Sequence, residues 1–160
     1  MKKLKNPYAS MPGYNCFGCS PVNQSGLKME FFEQGDEIMC RWKPGLDYQG
    51  FHDVLHGGIQ STLIDEIASW LVFVKLDTAG VTSRLTVKYL KPVYISRGQI
   101  ELKARLRQRK ASFATIEIEL FDGKGARCSE GIAEYFVFPA QKAKSEFHFP
   151  GKGAFYEGEI

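Results

Sequence analysis

The sequence has 160 residues, of which 44% are hydrophobic and 24% charged, and this length and composition are those of one globular domain with its own core. The formal net charge of only +3 gives no support to nucleic-acid binding. The amino terminus has no apolar run behind its charges, and no apolar stretch is long enough to span a bilayer. We therefore expect a cytoplasmic protein without a membrane partner.

Residues 1–26 are predicted to form an irregular N-terminal segment, because Asn, Pro, Gly and Ser are frequent in it. Two of the four cysteines, Cys16 and Cys19, lie there at the spacing of a metal knuckle or a redox pair. A closed zinc site needs two further ligands, and no second CxxC motif follows. We therefore predict a reduced structural pair and neither a metal nor a cofactor, with a metal or redox role as the alternative.

The next segment predicts a β-hairpin followed by a loop. Residues 27–32 and 37–43 are predicted to be strands, and the turn Gln34-Gly35-Asp36 between them is typical of a hairpin. Residues 44–55, which contain several glycine and aromatic residues, are predicted to form a loop.

Apolar residues recur at helical spacing along residues 59–76, which predicts one long helix. One apolar stripe consists of Ile59, Leu63, Ile67, Trp70 and Val74, and a second of Ile64, Ala68, Leu71 and Val72. The remaining polar strip is Ser61, Thr62, Asp65 and Ser69. A helix that is apolar on two faces is packed on two sides. A sheet can cover one face, and a second subunit or the loop segments must cover the other, so we predict an oligomer.

Asp65 and the sequence His56-Gly57-Gly58 suggest hydrolytic chemistry at this helix. A carboxylate in the middle of a buried helix costs free energy unless something pairs with it, so such a residue is a candidate for function. The two glycines allow close approach to the helix start, where unsatisfied N–H groups can stabilise a developing negative charge.

Four strands are predicted after the helix, over residues 81–90, 99–107, 112–121 and 126–138, because apolar and polar residues alternate in each. This alternation indicates antiparallel strands covered on one side, by the helix. The order of elements predicts an α+β fold. Residues 140–160 are predicted to be a charged C-terminal extension, whose aromatic residues can dock on this chain or on a partner subunit.

A set of short motifs over residues 15–139 resembles the PaaI-like acyl-CoA thioesterases. The motifs are Cys16-Phe17-Gly18-Cys19 with Asn23-Gln24-Ser25-Gly26-Leu27, Tyr48-Gln49-Gly50, His56-Gly57-Gly58-Ile59, Leu63-Ile64-Asp65-Glu66, Gly80-Val81-Thr82 and Tyr89-Leu90-Lys91-Pro92-Val93. The resemblance implies a hotdog fold, in which an antiparallel sheet wraps around one long central helix, over residues 27–139. It further implies an acyl-CoA substrate and a homodimer or dimer of dimers with sites at the subunit interface.

The resemblance also assigns catalytic roles. Asp65 is expected to act as general base or as nucleophile towards the thioester, and the N–H of Gly57 or Gly58 to polarise the thioester carbonyl. His56 is expected to support that geometry. Thr82 is expected to help hold the water, either for Asp65 of its own chain or for Asp65 of a partner subunit.

Substrate binding is predicted from the same resemblance. Relatives bind coenzyme A phosphates at the strand turn that here contains Arg109, Lys110 and Ser112. Gly50 stands where some relatives carry an Asn, so the role of that Asn is either filled by Gln49 or His52 or absent here. The predicted substrate-binding residues are Gln49, Ser61, Ser83, Arg109, Lys110 and Ser112.

Three alternatives remain open at the level of the sequence. The first is a hotdog protein that binds acyl-CoA or an acyl carrier without catalysis. The second is a hotdog hydratase, for which Asp47 and His52 have the spacing of an acid–base pair but lack the rest of the pattern. The third is Glu66 as the base in place of Asp65; otherwise Glu66 is expected to pair with a Lys or Arg.

Overall fold

The computed structural model, which describes residues 1–158, contains a single seven-stranded antiparallel sheet. It joins the predicted hairpin, the predicted four-strand block and one short strand from the N-terminal segment, which was not expected in a segment predicted to be irregular. The spatial order of the strands is β1-β2-β3-β5-β6-β7-β4. Their bounds are β1 (Lys2–Lys3), β2 (Phe31–Gln34), β3 (Glu37–Trp42), β4 (Gly80–Tyr89), β5 (Ile100–Lys110), β6 (Phe113–Phe121) and β7 (Arg127–Val137).

One long helix, α1 (Gly57–Lys75), packs against β3 to β7 and carries much of the buried core. Gly131 of β7 permits this close packing, because a Cβ at that position would lie 2.5 Å from Cγ2 of Ile64 on the helix. The antiparallel sheet and its central helix confirm the predicted α+β hotdog architecture.

The face of α1 turned away from the sheet is covered by the two ends of the same chain. Trp70 and Phe73 project from this face, and the ring of Phe155 lies 5.3 Å from each of them, measured between centroids. Tyr8 from the N-terminal segment and Phe149 from the C-terminal tail complete the aromatic cluster. Loop segments therefore cover the second apolar face. An oligomer is not needed for that purpose, and the oligomeric state stays a prediction that must rest on other surfaces.

Strand β2 begins four residues later than predicted, at residue 31 instead of 27. The amides of Leu27 and Met29 donate to the carbonyls of Phe17 and Gly18, at 2.8 and 2.9 Å. Lys28 between them has a φ of 53°, a left-handed conformation that interrupts a strand. The chain therefore pairs here with the N-terminal segment and not with β3. The other predicted strands and the helix agree with the structure to within three residues at each end.

The C-terminal tail forms a short helix, α2 (Ala140–Phe147), and a 3-10 turn (Lys152–Phe155). The N-terminal segment contributes β1 to the sheet, so both ends of the chain contact the central domain. The division into residues 1–26, 27–139 and 140–160 stays a prediction. No helix within residues 1–158 combines the length and apolarity that crossing a membrane requires.

We predict that Phe155→Ala lowers the free energy of unfolding by about 3–5 kcal/mol, because it empties a fully enclosed aromatic position between the tail and α1. Urea denaturation measures the change. Phe147→Ala is the matched control, since Phe147 lies in the same tail and is 39% exposed. Equal effects of the two substitutions would show that the tail does not dock through Phe155.

Candidate active site

The side chain of Asp65 is held in place by hydroxyl groups from two adjacent strands. Thr82 on β4 donates to Oδ1 of Asp65 at 2.7 Å, and the hydroxyl of Tyr135 on β7 lies 2.9 Å from the same oxygen. Thr82 and Tyr135 are paired directly across β4 and β7, so both hydroxyl groups reach the same carboxylate on the helix. Within residues 1–158, no protein group hydrogen-bonds to Oδ2 of Asp65, which leaves this oxygen available for chemistry.

Sequence reasoning missed Tyr135. Its side chain is only 2% exposed, and burial, followed by the negative charge of Asp65, holds the pKa of Tyr135 well above its ordinary value. The phenol therefore stays protonated and able to donate. The signal that could have found it is its place on β7, where Ala133, Tyr135 and Val137 alternate towards the helix and only Tyr135 carries a polar group.

The start of α1 is capped by the residue immediately before it. Nδ1 of His56 accepts a hydrogen bond from the N–H of Gly58 at 2.9 Å, so this donor is already used. Within the described part of the chain, the N–H of Gly57 has no partner, and it is the free donor of the predicted pair. Tyr89 of β4 donates to the carbonyl of Gly57 at 2.8 Å and lies 2.6 Å from Oγ of Ser61, which fixes the first turn of the helix.

A single chain does not bring the predicted acid and the predicted oxyanion donors together. Asp65 follows Gly57 by eight residues, which at a rise of 1.5 Å per residue places them about 12 Å apart along the helix axis. The two cavities lined by His56 and one of the glycines do not have Asp65 in their walls. A thioester carbonyl in contact with the helix start is therefore out of direct reach of Asp65 in the same chain.

Of two other predicted residues, one lies near the start of the helix and the other lies near Asp65. Gln49 lines a cavity of about 380 Å³ together with His56 and Gly58, and its Oε1 accepts from the N–H of Asp53 at 3.2 Å. Ser83 is exposed on β4, at an irregularity in the pairing of β4 with β7. Gln49 thus belongs to the helix start, and Ser83 lies beside Thr82.

The predicted phosphate-binding residues form an exposed turn between β5 and β6. Arg109, Lys110 and Ser112 are all exposed, and within residues 1–158 no carboxylate pairs with either cation. The strand register places Lys110 three strands from Val81, the neighbour of Thr82. At about 4.8 Å per strand, the basic turn lies about 14 Å from the Asp65 end of β4, at the same end of the strands.

Glu66 does not pair with a Lys or Arg anywhere in the described residues, so that expectation is wrong. Its side chain lies against the Cys16–Cys19 turn, and Sγ of Cys16 is 3.5 Å from its Oε1. Burial, followed by the nearby Cys16, raises the pKa of Glu66 to about 7. Asp47 and His52, the acid–base pair of the hydratase alternative, are both exposed on the loop before α1.

The comparison with protein families agrees with this geometry. Residues 52–129, which contain the helix start, Asp65 and the basic turn, match the model of a family described as the thioesterase superfamily. These residues place that segment of the chain in the thioesterase superfamily. The family resemblance is thereby confirmed, and so is the prediction of a thioester hydrolase. None of the curated proteins matches the sequence.

Solved structures of other thioesterases share the fold. A thioesterase from Haemophilus influenzae is 21% identical, with a TM-score of 0.68 over 76% of this chain and 86% of that one. PaaI of E. coli, from the phenylacetic acid degradation operon, is 16% identical, with a TM-score of 0.63 over 71% of this chain and 82% of that one. A hypothetical thioesterase from Streptococcus pneumoniae, solved with coenzyme A, is 20% identical, with a TM-score of 0.63 over 70% and 87%. At these identities the likeness establishes the fold.

For this thioesterase we predict that His56→Ala lowers the free energy of unfolding by about 1 kcal/mol, because the N–H of Gly58 loses its capping acceptor. His56→Asn supplies another capping oxygen and should recover most of that stability, as measured by urea denaturation. If His56 only caps the helix, Asn also restores thioester hydrolysis. Restored stability without restored hydrolysis would show that the imidazole acts on the substrate.

Proposed function

We propose that this thioesterase hydrolyses acyl-CoA to a free acid and coenzyme A, with Asp65 as the reacting carboxylate. The observation that carries the proposal is the hydrogen bonding of Asp65, in which Oδ1 is held by Thr82 and Tyr135 while Oδ2 has no protein partner within residues 1–158. One oxygen is therefore fixed and the other is free to react, which is the preorganisation that a general base or a nucleophile needs.

Two chemical routes are compatible with this arrangement. In the first, Oδ2 of Asp65 takes a proton from a water molecule whose oxygen adds to the thioester carbon, the carbon–sulfur bond breaks, and the thiolate leaves with its electron pair. In the second, Oδ2 attacks the carbon itself, the thiolate leaves, and water then hydrolyses the resulting anhydride. A thiolate is a good leaving group, so neither route requires a strong dedicated acid.

We further propose that the oxyanion donor comes from a second copy of the chain, as the resemblance to dimeric relatives implies. Asp65 and the free N–H of Gly57 lie about 12 Å apart along one helix, so antiparallel apposition of two copies is the simple way to bring them to one thioester. The surface available for this contact is the outer edge of β4, where Val81 and Tyr89 are 46% and 52% exposed. Thr82 bonds to Asp65 of its own chain, so the partner's contribution in this proposal is the helix start.

The coenzyme A portion is assigned to the turn of Arg109 and Lys110. Both cations are exposed and free of carboxylate partners within the described residues, which suits them to phosphate groups. The turn is about 14 Å from Val81, so an extended linker between phosphate and thioester can connect the two regions. The structural neighbour from Streptococcus pneumoniae was solved with coenzyme A, which supports this ligand class.

The decisive experiment is a panel of acyl-CoA substrates with short, medium, long and aromatic acyl groups, followed by release of free thiol. Hydrolysis of at least one class supports the proposal. Binding of acyl-CoA without thiol release across the whole panel would favour the non-catalytic binding protein instead. Hydration of an enoyl-CoA without thiol release would favour the hydratase.

We predict that Asp65→Ala lowers kcat at least about a hundredfold, within the range for removing a positioned base, and leaves the fold intact. The measurement is thiol release on the best substrate of the panel, with circular dichroism to verify folding. Asp36→Ala, in the exposed hairpin turn, is the control and should retain full activity. Turnover near that of the wild type in folded Asp65→Ala protein would remove Asp65 from the mechanism.

We predict that the double substitution Arg109→Ser and Lys110→Ser raises KM for acyl-CoA about tenfold and leaves kcat unchanged. Losing two exposed charge contacts corresponds to roughly 1.4 kcal/mol. The same acyl group on pantetheine, which lacks the nucleotide and its phosphates, is the matched substrate and should show no change in KM. An equal rise for both substrates would place coenzyme A elsewhere. The double substitution Lys124→Ser and Lys144→Ser removes the same two charges from other exposed positions and controls for net charge.

A further inference from the structure

We propose that Cys16, Cys19 and Glu66 form a binding site for a divalent thiophilic cation of the Zn²⁺ class. The structure places Sγ of Cys16, Sγ of Cys19 and a carboxylate oxygen of Glu66 within 4.8 Å of one another. In a tetrahedral zinc site with bonds of about 2.0–2.3 Å, neighbouring ligand atoms lie about 3.5–3.8 Å apart. The 3.5 Å between Cys16 and Glu66 already has that value, so a small contraction completes the set.

Both sulfur atoms are held by polar neighbours, as the ligands of a metal site are. The hydroxyl of Tyr14 lies 3.0 Å from the sulfur of Cys19, and the side-chain amide of Asn6 donates to it at 3.7 Å. These contacts fix the position of the Cys19 sulfur, and the contact with Oε1 of Glu66 fixes that of the Cys16 sulfur.

Glu66 supplies the second, independent indication of a cation. Its carboxylate is largely enclosed, and no Lys, Arg or His within residues 1–158 forms an ion pair with it. Gly18 makes room for it, because a Cβ on Gly18 would lie 2.5 Å from Cδ of Glu66. An enclosed carboxylate beside two thiols costs free energy unless a positive charge joins it, and a dication provides that charge.

The type of cation follows from the donor set. Two soft sulfur ligands and one carboxylate favour Zn²⁺ over Mg²⁺ or Ca²⁺, which prefer oxygen ligands alone. The fourth position opens towards a cavity of about 290 Å³ that Tyr14 and Ser69 also line, so water can complete the coordination. A cation bound there would tie the N-terminal segment to α1 at the residue next to Asp65.

The experiment uses the full chain, reduced with a phosphine, freed of metal with a chelator and then titrated with Co²⁺. We expect about one Co²⁺ per chain with a sulfur-to-cobalt charge-transfer band, displaced by Zn²⁺. Cys16→Ser, Cys19→Ser and Glu66→Gln should each lose this binding. Cys40→Ala and Cys128→Ala, which alter the two buried cysteines of the sheet, are the matched controls and should retain it.

Absence of the charge-transfer band in the reduced wild-type protein would overturn the proposal and leave the cysteines as a plain dithiol. An unchanged band in Cys16→Ser would overturn it as well. Because the cysteine variants can fold poorly, thermal unfolding of the wild-type protein gives a separate test. Zn²⁺ should raise its Tm, and an unchanged Tm contradicts the site. These readouts do not depend on thioester hydrolysis, so they stand or fall apart from the proposed function.

Discussion

The hydrogen bonds from Thr82 and Tyr135 to Asp65 join the sheet to the middle of the polar strip of α1. They depend on the enclosure of α1, which has the sheet on one side and the two ends of the chain on the other. Since both apolar faces are covered, the polar strip that includes Asp65 is the surface left for a substrate or a partner subunit. A carboxylate held on that strip is positioned by the whole fold.

Asp65 and Glu66 show how one step along a helix separates two kinds of chemistry. Consecutive residues point about 100° apart, so Asp65 faces β4 and β7 while Glu66 faces the Cys16–Cys19 turn. Hydroxyl donors surround the first carboxylate, and sulfur and aromatic groups surround the second. Burial accordingly raises the pKa of Glu66 to about 7. Neutral hydroxyl groups stabilise Asp65 in place without consuming its second oxygen, which is why we assign hydrolysis to Asp65.

Much of the fold could be predicted from the sequence, because periodicity reports which side of an element is covered. The helix and most strands agree with the prediction within three residues. The early start predicted for β2 failed because Lys28 adopts a left-handed backbone in response to pairing with the Cys16–Cys19 turn, a tertiary contact that no local pattern encodes. The sequence does not predict which segment covers Trp70, for the same reason. Periodicity shows that a helix face is buried, but it does not show what covers that face.

The candidate site was predictable only as far as its motifs extend. Asp65 stands out because a carboxylate is unusual in the middle of a buried helix. The helix start stands out because two glycines in a row are unusual there. Tyr135 does not, because an inward tyrosine on a strand looks like any core aromatic until its hydroxyl is seen to meet a carboxylate. For Glu66 the sequence predicts a pair with a Lys or Arg if it is not the base, because a helical glutamate commonly forms one.

The contacts of Glu66 also give the N-terminal segment a role that its composition hides. The segment is irregular, yet its cysteine turn packs on α1 one residue from the proposed catalytic acid, and the backbone of Gly18 approaches the carboxylate of Glu66 closely. Closing this turn fixes Glu66, and fixing Glu66 fixes the helical turn that also carries Asp65. A group that binds the two sulfurs and Glu66 would therefore stabilise the segment and the site together, whereas a free dithiol would leave the enclosed carboxylate without a positive charge. Whether a cation occupies the cysteine turn therefore bears directly on the stability of the site around Asp65.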